Sequence, residues 1–294
     1  MKATGVGQFE ATGLPSRGYL LCGIERTGSN LLALALSGTG IAGRPIEYFN
    51  PVMQDKEPIR HILGDTDIVG GLQRVLIAGT TPNGVFGAKV HWPHLRFLGM
   101  RMKGEWSESK RTRMQDLMRS QRPNLLSLRA ANELLHSQFS DLRAQAAAYA
   151  LLRLQLPDLR VIWLKRKNMV ARAISHYRAL KTSVWFRSAA SSGAPPGEPH
   201  HDFDLAEIHD LYCIGIFQQE SWKQFFAEQA ISVHSVFFEE LSADYESTVR
   251  LALKFLEIEC SEVAIPEPVS VRQSDAVSEE WEKLYRKSIP EVGI

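Results

Sequence analysis

Arg26, Thr27, Gly28, Ser29 and Asn30 follow one another in this chain and have the makeup of an oxyanion-binding turn. The guanidinium suits bidentate contact with a phosphate or sulfate. The glycine lets backbone come close, and the short polar side chains offer hydrogen-bond donors. An apolar run at residues 19–24 precedes the turn and reads as a buried strand. From Asn30 the pattern becomes helical, with Leu31, Leu32, Leu34 and Leu36, and it stops at Gly38. Strand, glycine-containing turn and helix N-terminus together bind phosphate. The first N–H groups of a helix have no internal acceptors, and the helix dipole favours negative charge there. Gly23 and Gly28 match the first half of a Walker A loop, which then requires Lys followed by Ser or Thr. Ser29 and Asn30 stand there instead. The turn is therefore suited to an oxyanion without the usual nucleotide–Mg²⁺ apparatus.

Two further clusters carry chemistry. Lys165, Arg166 and Lys167 come where an apolar strand-like run ends, and the helix after them carries Arg172, Ser175, His176 and Arg178. Arg166 and Ser175 together can grip a second phosphate, although a solvated basic face has the same appearance. Glu47 lies in the aromatic, proline-flanked segment 43–51, where a desolvated carboxylate can act as a base. Lys89 and His91, on another strand-like run, are rival catalytic groups.

Apolar strand-like runs alternate with helical patterns along the whole chain. Strands are expected at residues 19–24, 84–91, 159–164 and 232–238. Helices are expected at 141–156, 169–185, 205–228, 245–256 and 277–287, with no internal repeat. This order implies an α/β fold, a P-loop-like single domain with a central, mostly parallel sheet flanked by helices on both faces. Ligands in such folds sit beyond the carboxyl ends of the strands. Residues 1–17 read as a flexible lead-in, 18–294 as the domain, and the basic stretch 100–135 as an insertion. The segment 191–199, rich in Pro, Gly and Ser, is the clearest loop.

Composition narrows the function classes. The 294 residues are 44% hydrophobic and 23% charged, with a formal net charge of +1. That balance gives no general affinity for nucleic acid or membranes, so any anion site must be a local cluster. Cys22, Cys213 and Cys260 are far apart in apolar settings, which points away from a disulfide framework or metal spacing and towards a reducing cytoplasm. No apolar run approaches the length of a membrane span, and no metal site is expected.

These residues carry a resemblance. The turn from Arg26 to Asn30, with Arg166 and Ser175, resembles the sulfotransferases that use 3′-phosphoadenosine 5′-phosphosulfate (PAPS). Within them the chain is similar to the bacterial trehalose 2-sulfotransferase family. The supporting segments are 25–32, 43–49, 81–92, 171–179 with 182–185, and Arg272 and Gln273 with Glu280 and Trp281, all in family order. The resemblance implies roles. Arg26, Thr27, Gly28, Ser29 and Asn30 would hold the 5′-phosphosulfate, and Arg166 and Ser175 the 3′-phosphate. Glu47 falls on the family's catalytic base, and Arg272 and Gln273 on a segment that closes over the nucleotide. Asn30 departs from the family's usual Ser or Thr, and His91 from a more apolar residue. The implied acceptor is a hydroxyl of a carbohydrate or glycolipid, and the implied assembly is a homodimer. Two other readings compete: a P-loop-type kinase or phosphotransferase, which should need Mg²⁺ and a lysine after Gly28, and a non-catalytic nucleotide-binding module, which has no need of Glu47.

Overall fold

The computed structural model describes residues 14–51, 68–107, 109–110, 112–113, 142–185, 202–268 and 275–289. The lead-in before residue 14, most of the stretch 100–135, the segment 191–199, and Arg272 and Gln273 lie outside the described residues.

Four strands form one parallel sheet in the order β2-β1-β3-β4. They are β1 (Arg17–Gly23), β2 (Val85–His91), β3 (Leu159–Lys165) and β4 (Val233–Phe237). The first three are apolar almost throughout because helices cover both faces, as parallel sheets require. The described helices are α1 (Ser29–Gly38), α2 (Ile68–Ala78), α3 (Trp92–Met102), α4 (Arg143–Gln155) and α5 (Met169–Thr182). They continue with α6 (Leu205–Glu228), α7 (Phe238–Ala243), α8 (Tyr245–Phe255) and α9 (Ala276–Ser288).

Side chains alternate across the strands. Leu20, Cys22, Ala88, Val90, Val161 and Trp163 pack with α2, α3, α4 and the Trp222–Phe226 end of α6. Tyr19, Leu21, Ile162, Leu164 and Val236 pack with α1 and α8 on the other face. A third cluster joins α5, α6 and α9 around Tyr177, Trp281 and Tyr285.

Every strand expected from the sequence is present. The helix expected over residues 169–185 ends at Thr182, because Ser183 takes a left-handed conformation, φ 58°. Helices α2, α3 and α7 had no counterpart in the sequence pattern. The cysteines are free as expected, but Cys213 is exposed rather than apolar in its surroundings. Among the described residues no helix is long and apolar enough to cross a membrane.

The order of the strands fixes where a ligand can enter. The chain leaves β1 for β2 on one side and leaves β3 for β4 on the other. The crevice between the carboxyl ends of β1 and β3 is therefore the switch point at which doubly wound sheets bind ligands.

Helices α3 and α4 cross without room for a side chain at Gly99. A Cβ added there would lie 1.8 Å from the carbonyl oxygen of Ala144. Backbone cannot yield as a flexible side chain does, so Gly99→Ala forces the helices apart. Overpacking of this kind costs about 1–3 kcal/mol. A lower urea midpoint at unchanged m-value is the expected result, and an unchanged midpoint would contradict this packing.

Candidate active site

The turn after β1 is held by its carbonyls. The Gly23 carbonyl accepts from Trp222 Nε1 at 2.9 Å, and the Ile24 carbonyl from Thr27 Oγ1 at 2.7 Å. The Glu25 carbonyl accepts from Arg172 Nε at 3.0 Å, and the Arg26 carbonyl from Arg166 Nη1 at 3.0 Å. Four successive acceptors are thereby committed to side chains of the protein, which removes them as sources of repulsion for an incoming anion. Gly28 caps α1 at φ 81°, and an added Cβ would lie 2.7 Å from Phe238 Cδ2. Only glycine fits both the backbone conformation and the space. Arg26 also has positive φ, 68°, which is uncommon for a residue with a side chain.

The second cluster meets the first. Arg26 Nε donates to Ser175 Oγ at 2.9 Å, and its Nη1 donates to the Trp185 carbonyl at 2.6 Å. The three basic residues after β3 point in different directions. Lys165 Nζ lies 4.4 Å from the ring centroids of both Trp163 and Phe237, and Lys167 Nζ pairs with Glu240 Oε1 at 2.9 Å. Arg166 stacks its guanidinium over Phe238, 4.6 Å from the centroid, and bonds the turn. Of the triplet, Arg166 is the residue these contacts bring to the Arg26 turn. The Arg26 turn and Ser175, expected to contact two different phosphates, are therefore hydrogen-bonded neighbours. Burial, then the charge of Arg166, lowers Arg26 to about 10, so it remains cationic near neutrality.

The third cluster centres on Lys89. Its Nζ lies 2.8 Å from Glu47 Oε1 and also donates to Asn30 Oδ1. Asn50 Nδ2 donates to the other Glu47 oxygen at 2.6 Å. A parallel bridge from Ile46 to Ala88 on β2 sets Glu47 beside Lys89. Burial pushes the Glu47 carboxyl up, but the charge and hydrogen bond of Lys89 oppose it, and the group is held well below the usual carboxylate range.

A fourth group was not foreseen. His91 presents Nδ1 to Glu25 Oε1 at 3.5 Å and Nε2 to Ser29 Oγ at 3.4 Å. Burial opposes ionisation of Glu25, yet the hydrogen bond from His91 and the charge of Arg172 hold it well below its ordinary range. Arg172 is fully buried and splits its donors between the Glu25 carbonyl, the Leu211 carbonyl at 2.7 Å and His176 Nδ1 at 3.1 Å. Its bed exists because α6 has Gly215 there, where a Cβ would lie 2.1 Å from Arg172 Nη1. No sequence signal pairs Glu25 with His91, since the Walker spacing leaves that position unspecified. Among the described residues no group of three or more His, Cys, Asp or Glu is arranged to hold a metal.

A family model described as Stf0 sulphotransferase matches residues 18–126 and 117–288. The chain belongs to that family. It is 25% identical over 298 residues to a protein named trehalose 2-sulfotransferase from Mycolicibacterium smegmatis, covering 94% of this chain and 97% of the relative. It is 23% identical over 309 residues to another of that name from Mycobacterium tuberculosis, covering 95% and 97%. The matched span contains the turn, Glu47, Lys89, His91, Arg166 and Ser175. The turn and the clusters around it lie at the β1/β3 switch point of this sulphotransferase-family chain.

Two buried histidines set the acid stability of this site. Burial, then the charge of Arg172, lowers His176 to about 3, and burial lowers His94 to about 3. An unfolded histidine titrates near about 6.5. Below that value the unfolded chain binds protons that the fold refuses, so stability is complete above about pH 6.5 and falls towards pH 3. Each histidine contributes a slope of up to about 1.4 kcal/mol per pH unit. Urea unfolding between pH 7 and about 5 should show this loss. His176→Gln, which keeps a polar atom beside Arg172, should halve the slope. A flat profile would mean that both imidazoles ionise freely in the fold.

Proposed function

We propose that this protein transfers a sulfuryl group from PAPS to a hydroxyl of a small carbohydrate or glycolipid, with Glu47 as the general base. The observation that carries this reading is Lys89, whose ammonium group joins Asn30 of the anion turn to Glu47. One side chain thus links the anion turn to a carboxylate, so that a base and a charge stabiliser stand together at one site.

The chemistry follows from loose transfer transition states, in which positioning and charge stabilisation dominate. The turn's N–H groups and Arg26 stabilise charge on the sulfuryl and bridging oxygens, and Lys89 supplies the cation that the Walker position lacks. Arg166 and Ser175, adjoining Arg26, hold the 3′-phosphate. In a loose transition state the new S–O bond is little formed, so the acceptor hydroxyl gives up its proton late, when completion of that bond makes it strongly acidic. A carboxylate held below the usual range can accept that proton. Both His91 nitrogens already face protein groups, Glu25 and Ser29, which favours Glu47 as the base. The acceptor class rests on the names of the two relatives.

Adenosine 3′,5′-bisphosphate should raise the melting temperature without added metal, and ADP much less. A ligand at 100 times its Kd stabilises the fold by about 2.7 kcal/mol. Arg166→Ala should weaken the bisphosphate by about 10- to 150-fold, the worth of a charge-assisted contact, while Lys165→Ala and Lys167→Ala should not. Equal stabilisation by ADP, or a strict need for Mg²⁺, would instead support a kinase.

Glu47→Gln keeps the shape of the side chain and one of its two acceptor oxygens, and removes the base. Single-turnover sulfuryl transfer should fall by about 10²–10⁴, with nucleotide affinity nearly unchanged. Near-normal transfer by this variant would remove Glu47 from the role.

A further inference from the structure

His91 is buried where β2 ends, and its ring lies between a carboxylate and a hydroxyl. The chain Glu25–His91–Ser29 ends on the first residue of α1, next to Gly28. We propose that these three residues form a proton-linked anion clamp, in which protonated His91 turns the Ser29 hydroxyl outward as a donor to an oxyanion in the turn. The proposal deepens the donor-site reading and rests on it.

The hydrogen-bond inventory of the three groups leads there. A neutral His91 that donates Nδ1–H to Glu25 leaves Nε2 as an acceptor. The Ser29 proton then points into the imidazole, and the hydroxyl lone pairs face the turn, where they repel an anion. An imidazolium donates from both nitrogens, to Glu25 and to Ser29 Oγ. The Ser29 proton is then free to donate to the anion. The added proton comes from solvent, so anion binding takes up one proton. The distances of 3.5 Å to Glu25 and 3.4 Å to Ser29 lie at the outer edge of hydrogen-bond range, where two charged donors would shorten both.

The groups facing His91 come from every side. Glu25 lies on the turn, Lys89 on its own strand and Glu47 on the neighbouring loop. His94 of α3 stacks on its ring, with centroids 5.1 Å apart, and Arg172 and His176 lie on α5. His94 and His176, both held at about 3, stay neutral through the range in which the clamp works. An arriving anion adds negative charge beside these groups and favours the imidazolium. His91 acts through Ser29 and is a positioning residue.

Inorganic sulfate is the probe, because it keeps both charges from about pH 5.5 to 8.5 and any pH dependence then belongs to the protein. Calorimetry in buffers of different ionisation enthalpy counts the protons taken up. For the unaltered protein, sulfate affinity should fall as pH rises, by up to about tenfold per unit, with uptake of about one proton. Ser29→Ala, which leaves Glu25 and His91 in place, should bind sulfate more weakly and without proton uptake. His91→Asn should also lose the pH dependence. If that variant does not fold, NMR titration of the His91 ring in the unaltered protein replaces it, and sulfate should raise the midpoint. A pH-independent sulfate affinity, or undiminished proton uptake in Ser29→Ala, would overturn the clamp. Adenosine 3′,5′-bisphosphate tested alongside separates the two readings. Nucleotide binding with no proton-linked sulfate site overturns the clamp alone, whereas a proton-linked sulfate site with no nucleotide binding overturns the donor reading alone.

Discussion

Commitment of the carbonyl oxygens of Gly23, Ile24, Glu25 and Arg26 is the constraint on which the site depends. A tight turn brings N–H and C=O groups close together, and an anion is welcome only where the oxygens are otherwise engaged. Here the donors come from Trp222 on α6, Thr27 in the turn, Arg172 on α5 and Arg166 at the end of β3. Each belongs to a different part of the fold, so the turn keeps its shape only in the assembled domain. That also explains a fully buried arginine. Arg172 would be costly in an apolar interior, but its guanidinium spends its donors on two carbonyls and one imidazole.

β1, β2 and β3 were legible in the sequence because parallel strands buried on both faces are near-continuous apolar runs. The turn was legible because its residue types are rare together. Helices α2 and α3 were not. α2 carries Gly70 and Gly71, which weaken a helical pattern. α3 is buried along most of its length, with His94 and Arg96 among its buried residues, so it shows no polar face to give a period. Glu47, Lys89, Arg166 and Ser175 were legible as separate candidates, but their contacts were not. Lys89 reaches Asn30 across the β1–β2 pairing, and sequence spacing contains nothing of that pairing. The directions taken by the side chains of the basic triplet depended on neighbours too. Lys165 turned to Trp163 and Phe237, and Lys167 to Glu240, for reasons that lie on β3, β4 and α7.

Charge at the site is local, as a formal net charge of +1 over the whole chain requires. Arg26, Arg166, Arg172 and Lys89 bring four cations to the turn and its supports, and Glu25 and Glu47 bring two carboxylates. The excess is positive by about two charges, before any proton on His91. The carboxylates do not simply cancel the cations. Glu47 holds Lys89 between itself and the turn, and Glu25 holds His91 between itself and Ser29. Each acid thus fixes a positively charged or chargeable group at a stated place, so that little reorganisation is left when the donor arrives, and that preorganisation is where electrostatic catalysis draws most of its strength.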